Sequence, residues 1–289
     1  MSDAQRLDQY YTSDAVAESC VDIVTRLLPL LGYGQCVKFL EPSAGTGAFL
    51  KQLPSSAVGI DVDPKYRGVM TANFLEVTAQ DIGIRDNDNV VIVGNPPFGR
   101  RAALAIEFFN HAGTFSDTIA FIVPLLFRKW SVHRHLAPGF RLISDTTLES
   151  NAFSFKGRPY HVNCTFQVWT RRHGTLDDLR INAPPPSRHP DFKARIYNNT
   201  RAAEKFFDED FHFAVPRQGV VDYSRRETDP SRCERTTHWM LFKAASEKVR
   251  QRLTSMDFEG LSKGNTVVPG FGKADVVQAY SELYGSPNR

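Results

Sequence analysis

The chain has 289 residues, of which 42% are hydrophobic and 23% charged, and its formal net charge is +3. This composition is typical of a soluble globular protein and excludes a chain that is too polar to bury a core. No apolar run approaches the ~20 residues that span a bilayer, and the polar N-terminus does not resemble a signal peptide. We therefore expect a cytoplasmic protein whose four widely spaced cysteines are buried free thiols.

The basic side chains are unevenly distributed. Residues 1–180 hold 18 basic and 18 acidic side chains, whereas residues 181–289 hold 17 and 14. Within the first part, ten basic and four acidic residues lie between Phe98 and His173. Such a locally basic face would attract a phosphate backbone. On charge alone, a solvated surface of mixed charge is an equally good interpretation.

The first predicted elements alternate between helix and strand. Apolar residues at helical spacing predict a helix over residues 14–31. A short strand at 37–40 runs into the glycine-rich turn of residues 41–47, which a predicted helix at 48–53 follows. The next strand, at 57–60, ends at an acid. This order is that of the first unit of a dinucleotide-type fold, and the acid has the spacing of a ribose ligand.

The most informative stretch is VVIVGNPPFG, residues 90–99. Its four β-branched apolar residues predict a strand that is buried on both faces. The two prolines, Pro96 and Pro97, remove backbone donors and end the strand. The turn therefore presents the Asn95 amide, free carbonyls and the exposed ring of Phe98 at the carboxyl end of a strand, where open α/β sheets bind ligands. An isolated Asn-Pro-Pro would also suit an ordinary turn.

The remaining elements complete an α/β domain and begin a second module. The patterns predict a helix at 101–113, a buried strand at 118–123 and paired strands at 140–148 and 160–170. We therefore expect a Rossmann-like, mostly parallel sheet with an antiparallel edge hairpin. The predicted organisation is a domain at 1–182, a proline-rich linker at 183–190 and a small C-terminal α+β module at 191–289. Within that module the patterns predict a strand at 211–216, a segment around 238–242, and helices at 242–253 and 272–285.

The glycine turn favours a cofactor without phosphate. It lacks the Gly-Lys-Ser/Thr ending of a phosphate-binding loop, and it is not a full GxGxxG. The carboxylates of Glu41 and Asp61 flank it, which suits a cationic ligand with a ribose better than a pyrophosphate. S-adenosylmethionine has these properties.

Taken together, the motifs resemble a known family. Tyr10-Tyr11-Thr12, FLEPSAGTGAFL (39–50), GIDVD (59–63), NFL (73–75) and GNPPFG (94–99) follow the order found in the amino-group adenine-N6 DNA methyltransferases of the class I fold. Residues 148–169 are similar to the base-flipping hairpin of small bacterial, phage and giant-virus members, and the tail at 269–280 also looks like theirs. The resemblance covers most of the chain.

The resemblance implies a cofactor site for S-adenosylmethionine and no metal. Tyr11 and Thr12 would hold the methionine part, Asp61 the ribose hydroxyls and Asn73 the adenine amine, although most relatives carry an acid where Asn73 stands. The full set of implied cofactor residues is Tyr11, Thr12, Glu41, Pro42, Ala44, Gly45, Gly47, Asp61, Asn73, Phe74 and Asn95. The eight histidines form no metal set, and we interpret them as surface residues or phosphate contacts.

The resemblance also implies a catalytic role for Asn95, Pro96, Pro97 and Phe98. The lone pair of an adenine amine is delocalised, and two acceptors on its N–H bonds would localise it. The base must leave the duplex to be reached, and Phe98 would stack on it, with Phe153 or Phe155 covering the other face. Expected nucleic-acid contacts are Arg100, Arg101, Arg128, Lys129, Lys156 and Arg158. Lys273 would either meet a phosphate or simply begin a helix.

The leading hypothesis is a stand-alone DNA adenine-N6 methyltransferase, because no nuclease signature is visible in the sequence. Adenine-N6 methylation of RNA, glutamine methylation of a protein, and a catalytically silent nucleic-acid-binding module are the alternatives. The intact Asn-Pro-Pro-Phe motif argues against the silent module. The sequence predicts neither a DNA recognition sequence nor an oligomeric state, and it is compatible with a monomer.

Overall fold

The structure is a computed structural model. It describes residues 11–148, 153–155, 158–160, 163–207, 210–219, 222–264 and 268–285, with the backbone alone at 153–155, 158–160 and 207. The chain divides into two compact units, residues 1–182 and residues 183–289. In the part of the chain that the structure covers, no helix is long and apolar enough to cross a membrane.

A seven-stranded sheet forms the centre of the first unit. Its strands, in spatial order, are β4 (Met70–Thr71), β3 (Val58–Asp61), β2 (Lys38–Glu41), β5 (Val90–Gly94), β6 (Thr118–Pro124), β10 (Cys164–Thr170) and β7 (Arg141–Thr147). β10 runs antiparallel to both of its neighbours, and the other strand pairs are parallel. The predicted Rossmann-like α/β fold is thus confirmed. The antiparallel strand lies one position in from the edge, because β10 inserts between β6 and β7.

Helices cover both faces of this sheet. They are α1 (Asp14–Leu27), α2 (Ala103–Ala112) and α3 (Trp130–His133), with 3₁₀ turns at Pro29–Leu31, Leu50–Gln52, Phe74–Glu76, Arg100–Ala102 and Leu125–Arg128. The central strand β5 is buried along its whole length. Val90 and Ile92 belong to the cluster that contains the α2 side chains, whereas Val91 and Val93 belong to the α1 cluster. Alternation along one strand therefore supplies two cores.

Two predicted helices are shorter than expected. The helix predicted over residues 14–31 ends at Leu27, because Pro29 lacks the N–H that would continue the hydrogen-bond ladder. The helix predicted at 48–53 is only the 3₁₀ turn Leu50–Gln52. Pro54 follows within two residues, so no second turn can form.

A small sheet joins the N-terminal segment to the predicted base-flipping hairpin. Its strands are β1 (Tyr11–Thr12), β8 (Phe153–Phe155) and β9 (Arg158–Tyr160), all antiparallel. Tyr11 pairs with Ser154, and Thr12 pairs with Phe153. Nothing in the local sequence pattern predicted this pairing.

The second unit contains a three-stranded antiparallel sheet. Its strands are β11 (Phe192–Tyr197), β13 (His238–Ala244) and β12 (Phe213–Gln218), and its helices are α4 (Arg201–Glu204), α5 (Glu247–Thr254), α6 (Phe258–Ser262) and α7 (Lys273–Tyr284), with 3₁₀ turns at Lys205–Phe207 and Pro230–Arg232. The helix predicted from residue 242 begins only at Glu247, because 238–244 is the central strand and Ser246 caps the helix. β11 was not predicted.

The four cysteines are free thiols. Cys20, Cys164 and Cys233 are buried as expected, but Cys36 is exposed, so the prediction of four buried thiols is wrong at that position.

Candidate active site

The carboxyl ends of three strands bring the predicted motifs together. In the sheet, β2 lies between β3 and β5, and the chain goes from β2 to one side before it returns as β5 on the other. This reversal is a topological switch point, where open α/β sheets bind ligands. The glycine turn follows β2, Asp61 ends β3, and Asn95 follows β5.

The glycine turn has a backbone that only glycine adopts easily. Gly45 has a φ of 48° and Gly47 a φ of 75°. A β-carbon on Gly47 would lie 2.3 Å from the ring of Tyr66, and one on Gly45 would lie 3.2 Å from the ring of Tyr11. The two aromatic rings therefore pack directly on the backbone of the turn. Tyr66 was not predicted as a site residue, although an aromatic residue just after the end of the Asp61 strand was a usable signal.

Asp61 holds this turn in place. Its Oδ2 accepts a hydrogen bond of 2.7 Å from the Gly45 N–H, and its Oδ1 accepts one of 2.8 Å from the Asp63 N–H. The Lys65 N–H in turn donates to the Gly45 carbonyl at 2.9 Å. An ionised carboxylate has about four acceptor sites, so Asp61 can still accept two hydroxyl donors.

Glu41 lies inside the turn, where it is 2% exposed. Its Oε2 accepts a hydrogen bond of 3.1 Å from the Leu50 N–H. Burial raises the Glu41 pKa well above its ordinary value, the Leu50 hydrogen bond opposes this rise, and the charge of Asp61 adds to it. Pro42 and Ala44 are buried too. The structure thus places these three predicted cofactor residues within the turn, where they shape it.

A hydrogen bond connects the turn of residues 94–99, the predicted catalytic turn, to the glycine turn. The Ser43 hydroxyl donates to the Asn95 carbonyl at 2.9 Å. A β-carbon on Gly94 would lie 3.3 Å from Cγ of Glu41, so the two turns are in contact. The Asn95 side chain is half-buried, with its Oδ1 shielded from solvent, and Pro96 is buried. Ser43 was not predicted as a site residue, although its position within the glycine turn was a signal.

Phe98 is less exposed than the sequence predicted. It is half-buried and packs against the α1-side cluster. The backbone after it is unusual, because Gly99, Arg101 and Ala102 have φ values of 66°, 56° and 63°. Left-handed conformations at non-glycine residues are costly and cluster at functional sites. The side chains of Arg100 and Arg101 are exposed, as a phosphate contact requires.

Asn73 and Phe74, two predicted cofactor residues, differ in burial. Phe74 is 1% exposed and packs on Phe108 and Phe115, with ring centroids 5.3 and 5.9 Å away. Its side chain therefore packs in the core, and its predicted contact with the cofactor stays a prediction. Asn73 is half-buried, its Oδ1 accepts from the Leu75 N–H at 3.2 Å, and its Nδ2 donates to Glu76 at 2.8 Å.

Several of the basic residues that follow Phe98 have internal partners. Arg128 forms an ion pair with Asp145, with Nη2 and Oδ1 2.6 Å apart, and also donates to Thr147 at 2.8 Å. Arg141 donates to the carbonyls of Leu176 and Arg172, both at 2.8 Å. The basic stretch after Phe98 is therefore partly a set of structural arginines, and Arg128 is one of them. Lys129 is half-buried.

The prediction for His133 also has to be corrected. It was interpreted as a surface residue or phosphate contact, but it is 1% exposed. Its Nδ1 accepts from the Ile181 N–H at 2.8 Å, and its Nε2 lies 2.5 Å from the Phe127 carbonyl, so Nε2 carries the proton. Burial lowers its pKa. Among the described residues, no three metal-ligand side chains form a group.

Some predicted residues lie outside the described part of the chain. Lys156 is one. Phe153 and Phe155 are placed in β8, and Arg158 in β9, by their backbones alone. The structure thus brings the predicted hairpin next to Tyr11 and Thr12, and the roles of its side chains stay predictions.

No protein-family model and no curated protein matches the sequence. The fold is similar to that of a candidate class I S-adenosylmethionine-dependent methyltransferase of Listeria monocytogenes, with 13% identity, a TM-score of 0.41, and coverage of 56% of this chain and 61% of that one. It is also similar to a candidate RNA methyltransferase of Pyrococcus horikoshii, with 18% identity, a TM-score of 0.39, and coverage of 58% and 88%. A third similar structure is a DrdV–DNA complex, with 14% identity, a TM-score of 0.41, and coverage of 61% and 28%. Likenesses this distant assign no activity to this chain.

Proposed function

We propose that this chain transfers a methyl group from S-adenosylmethionine to the N6 amino group of adenine in DNA. The hydrogen bond from Ser43 to the Asn95 carbonyl is the observation that carries the proposal. It joins a turn that can polarise an amine to a turn suited to a cofactor, at the switch point of the sheet.

The residues around the glycine turn suit S-adenosylmethionine. Gly45 and Gly47 allow the left-handed backbone of the turn and its close packing against the rings of Tyr11 and Tyr66, and Asp61 retains acceptor capacity for a ribose diol. In this proposal Tyr11 and Thr12 hold the methionine part and Asn73 holds the adenine. When bound, the cofactor supplies an electrophilic methyl group on its sulfonium sulfur.

The catalytic turn prepares the acceptor amine. The Asn95 Oδ1 and the Pro96 carbonyl accept hydrogen bonds from the two N–H bonds of the adenine, which localises the nitrogen lone pair. The two prolines hold both acceptors in a fixed orientation before the base arrives. One amino proton is lost to solvent on methylation.

The adenine reaches this turn only after it leaves the duplex. Phe98 is held on the core, and its exposed part can stack on the base, a contact worth roughly 1–3 kcal/mol. Arg100 and Arg101 follow at once, exposed, and can meet the flanking phosphates. The Arg100–Ala102 backbone holds them in this position.

Methyl-labelled cofactor tests the proposal directly. The protein is incubated with labelled S-adenosylmethionine and, separately, with DNA, RNA or a protein extract, and the labelled base or side chain is identified by mass spectrometry. Label in N6-methyladenine of DNA supports the proposal. Label in RNA alone, in protein glutamine alone or in none of the three would overturn it. Sequencing of methylated adenines in DNA from expressing cells then defines any recognition site.

A further inference from the structure

The second unit has a cavity of about 260 Å³ on one face of its sheet. The opposite face is covered by the cluster of side chains that includes those of α5, α6 and α7. The cavity lies on the face of Tyr197, Trp239 and Leu241, where the buried cluster is much smaller. Its lining includes three cations, two aromatic rings and one carboxylate, from Lys193, Arg195, Lys243, Phe206, Phe211 and Asp210. We call it the sheet-face pocket.

Two cations of the sheet-face pocket lie close enough to repel each other. Lys193 on β11 pairs directly with Lys243 on the neighbouring strand β13. Like charges in directly opposite positions destabilise a sheet. Lys243 forms an ion pair with the exposed Asp210, whereas Lys193 makes no ion pair within the described residues. An anion that binds both lysines would remove this repulsion.

A third cation and an aromatic ring extend the pocket. The Arg195 guanidinium lies 5.1 Å from the centroid of the Phe206 ring. Arg195 also acts, with Arg188, to lower the pKa of Lys273, after the larger effect of burial. Positive charge is therefore concentrated along the edge strand β11. Phe206 and Phe211 are only half-buried, so their rings contribute surface to the pocket.

We propose that the sheet-face pocket binds one nucleotide of a single-stranded nucleic acid, with its base on Phe206 and its phosphate on Lys193 and Lys243. An aromatic platform beside cations is the combination that holds single strands without sequence readout. The volume lies just below the ~300–1,000 Å³ range of drug-sized ligand sites, which suits one nucleotide unit. The inference rests on the proposed function for nucleic acid as the partner, and it names a surface of the second unit that binds the strand.

Asp210 competes with the phosphate in this arrangement. Its carboxylate already occupies Lys243, so the strand must displace that ion pair. Both side chains are largely exposed, at 48% and 75%, so the ion pair is weak. Removing the carboxylate should therefore strengthen binding.

Binding of a labelled thymidine-only oligonucleotide to the full chain, without cofactor, tests the pocket by fluorescence anisotropy at several salt concentrations. Such a strand has no adenine for the catalytic turn. Lys193→Gln should weaken binding and make the slope of log K against log salt shallower by about 0.7, the value for one phosphate contact on a single strand. Asp210→Asn should strengthen binding. Lys263→Gln removes an exposed lysine of α6's C-terminal end, which pairs with Glu259, and should change neither quantity.

Two variants of Phe206 test the proposed stacking of the base on its ring. Phe206→Ala should weaken binding about 5- to 150-fold, whereas Phe206→Tyr, which keeps the ring face and its packing, should not. An unchanged salt slope in Lys193→Gln would overturn the proposal. So would binding of a polyglutamate peptide that displaces the strand and is insensitive to Phe206→Ala, because the pocket would then be an acidic-peptide site. A chain that binds thymidine strands through Lys193 but methylates no adenine would overturn the proposed function alone.

Discussion

Polar side chains have different roles at the two ends of the parallel strands in the seven-stranded sheet. We call the side where these strands begin the amino edge, and the side where they end the carboxyl edge. At the amino edge, cavities of about 190 and 170 Å³ open beside the starts of β2 and β5. The polar groups there bond to one another: Arg172 donates to Asn89 at 2.5 Å and stacks 3.8 Å from the Tyr33 ring centroid, and Lys38 pairs with Asp88 at 2.6 Å. These contacts stabilise the fold.

At the carboxyl edge, side-chain carboxylates accept hydrogen bonds from backbone N–H groups. Asp61 accepts from the N–H groups of Gly45 and Asp63, and Glu41 accepts from that of Leu50. Backbone held in this way can approach a ligand closely, and the switch point places it where a crevice forms. The comparison teaches that polar side chains bind one another at the amino edge and hold the backbone of a turn at the carboxyl edge.

The largest expected effect is at the catalytic turn. Asn95→Ala removes the side-chain acceptor and should lower the methylation rate by about 10²–10³-fold or more, because one preorganised polar partner of the reacting group is lost. Cofactor binding, measured by calorimetry, should persist. Undiminished methylation by this variant would show that the carboxyl edge does not act through Asn95.

A smaller loss is expected at the glycine turn. Gly47→Ala places a β-carbon 2.3 Å from the Tyr66 ring at a φ of 75°, and should weaken cofactor affinity about ten-fold or more. Gly83→Ala is the matched control, since Gly83 has a φ of 65° and no atom within 4 Å of the added carbon. That variant should keep its cofactor affinity. Equal losses in both variants would indicate general backbone strain and not a site.

The amino edge should respond in stability alone. Arg172→Gln removes a charged hydrogen bond to Asn89 and the contact with Tyr33, and should lower the free energy of unfolding by about 1–3 kcal/mol. Urea unfolding measures this. The methylation rate per folded molecule should stay the same. A lower rate at unchanged stability would mean that the amino edge takes part in the reaction.

The last expected effect is a pH dependence of stability. The folded state raises the Glu41 pKa, so it disfavours ionised Glu41, and wild-type stability should fall relative to Glu41→Gln as pH rises from about 4.3 through the raised pKa. The slope should approach about 1.4 kcal/mol per pH unit in that window. Thermal or urea unfolding of both proteins from pH 4 to 8 measures it. Parallel stability curves would contradict the raised pKa of the buried Glu41.

Most of the sheet was predictable because its signals are local. β5, β6, β7 and α2 lie within about two residues of their predicted positions, and β10 begins four residues later than predicted. The errors in element boundaries also came from relying on local patterns. Pro29 and Pro54 limited helices whose apolar pattern continued past them, and the strand β13 occupied residues that a helical pattern also fitted.

The sequence by itself determined the order of strands and turns and the chemistry that the turns can offer. Side-chain periodicity, prolines and glycines act on neighbouring residues, so a local reading suffices for them. The tertiary structure alone decided which polar side chains bind internal partners and so stabilise the fold. Arg128 meets Asp145 across 17 positions, and Arg172 meets Asn89 across 83, so neither could be distinguished from a phosphate contact beforehand. The same holds for Phe74 and His133, whose burial depends on elements far along the chain.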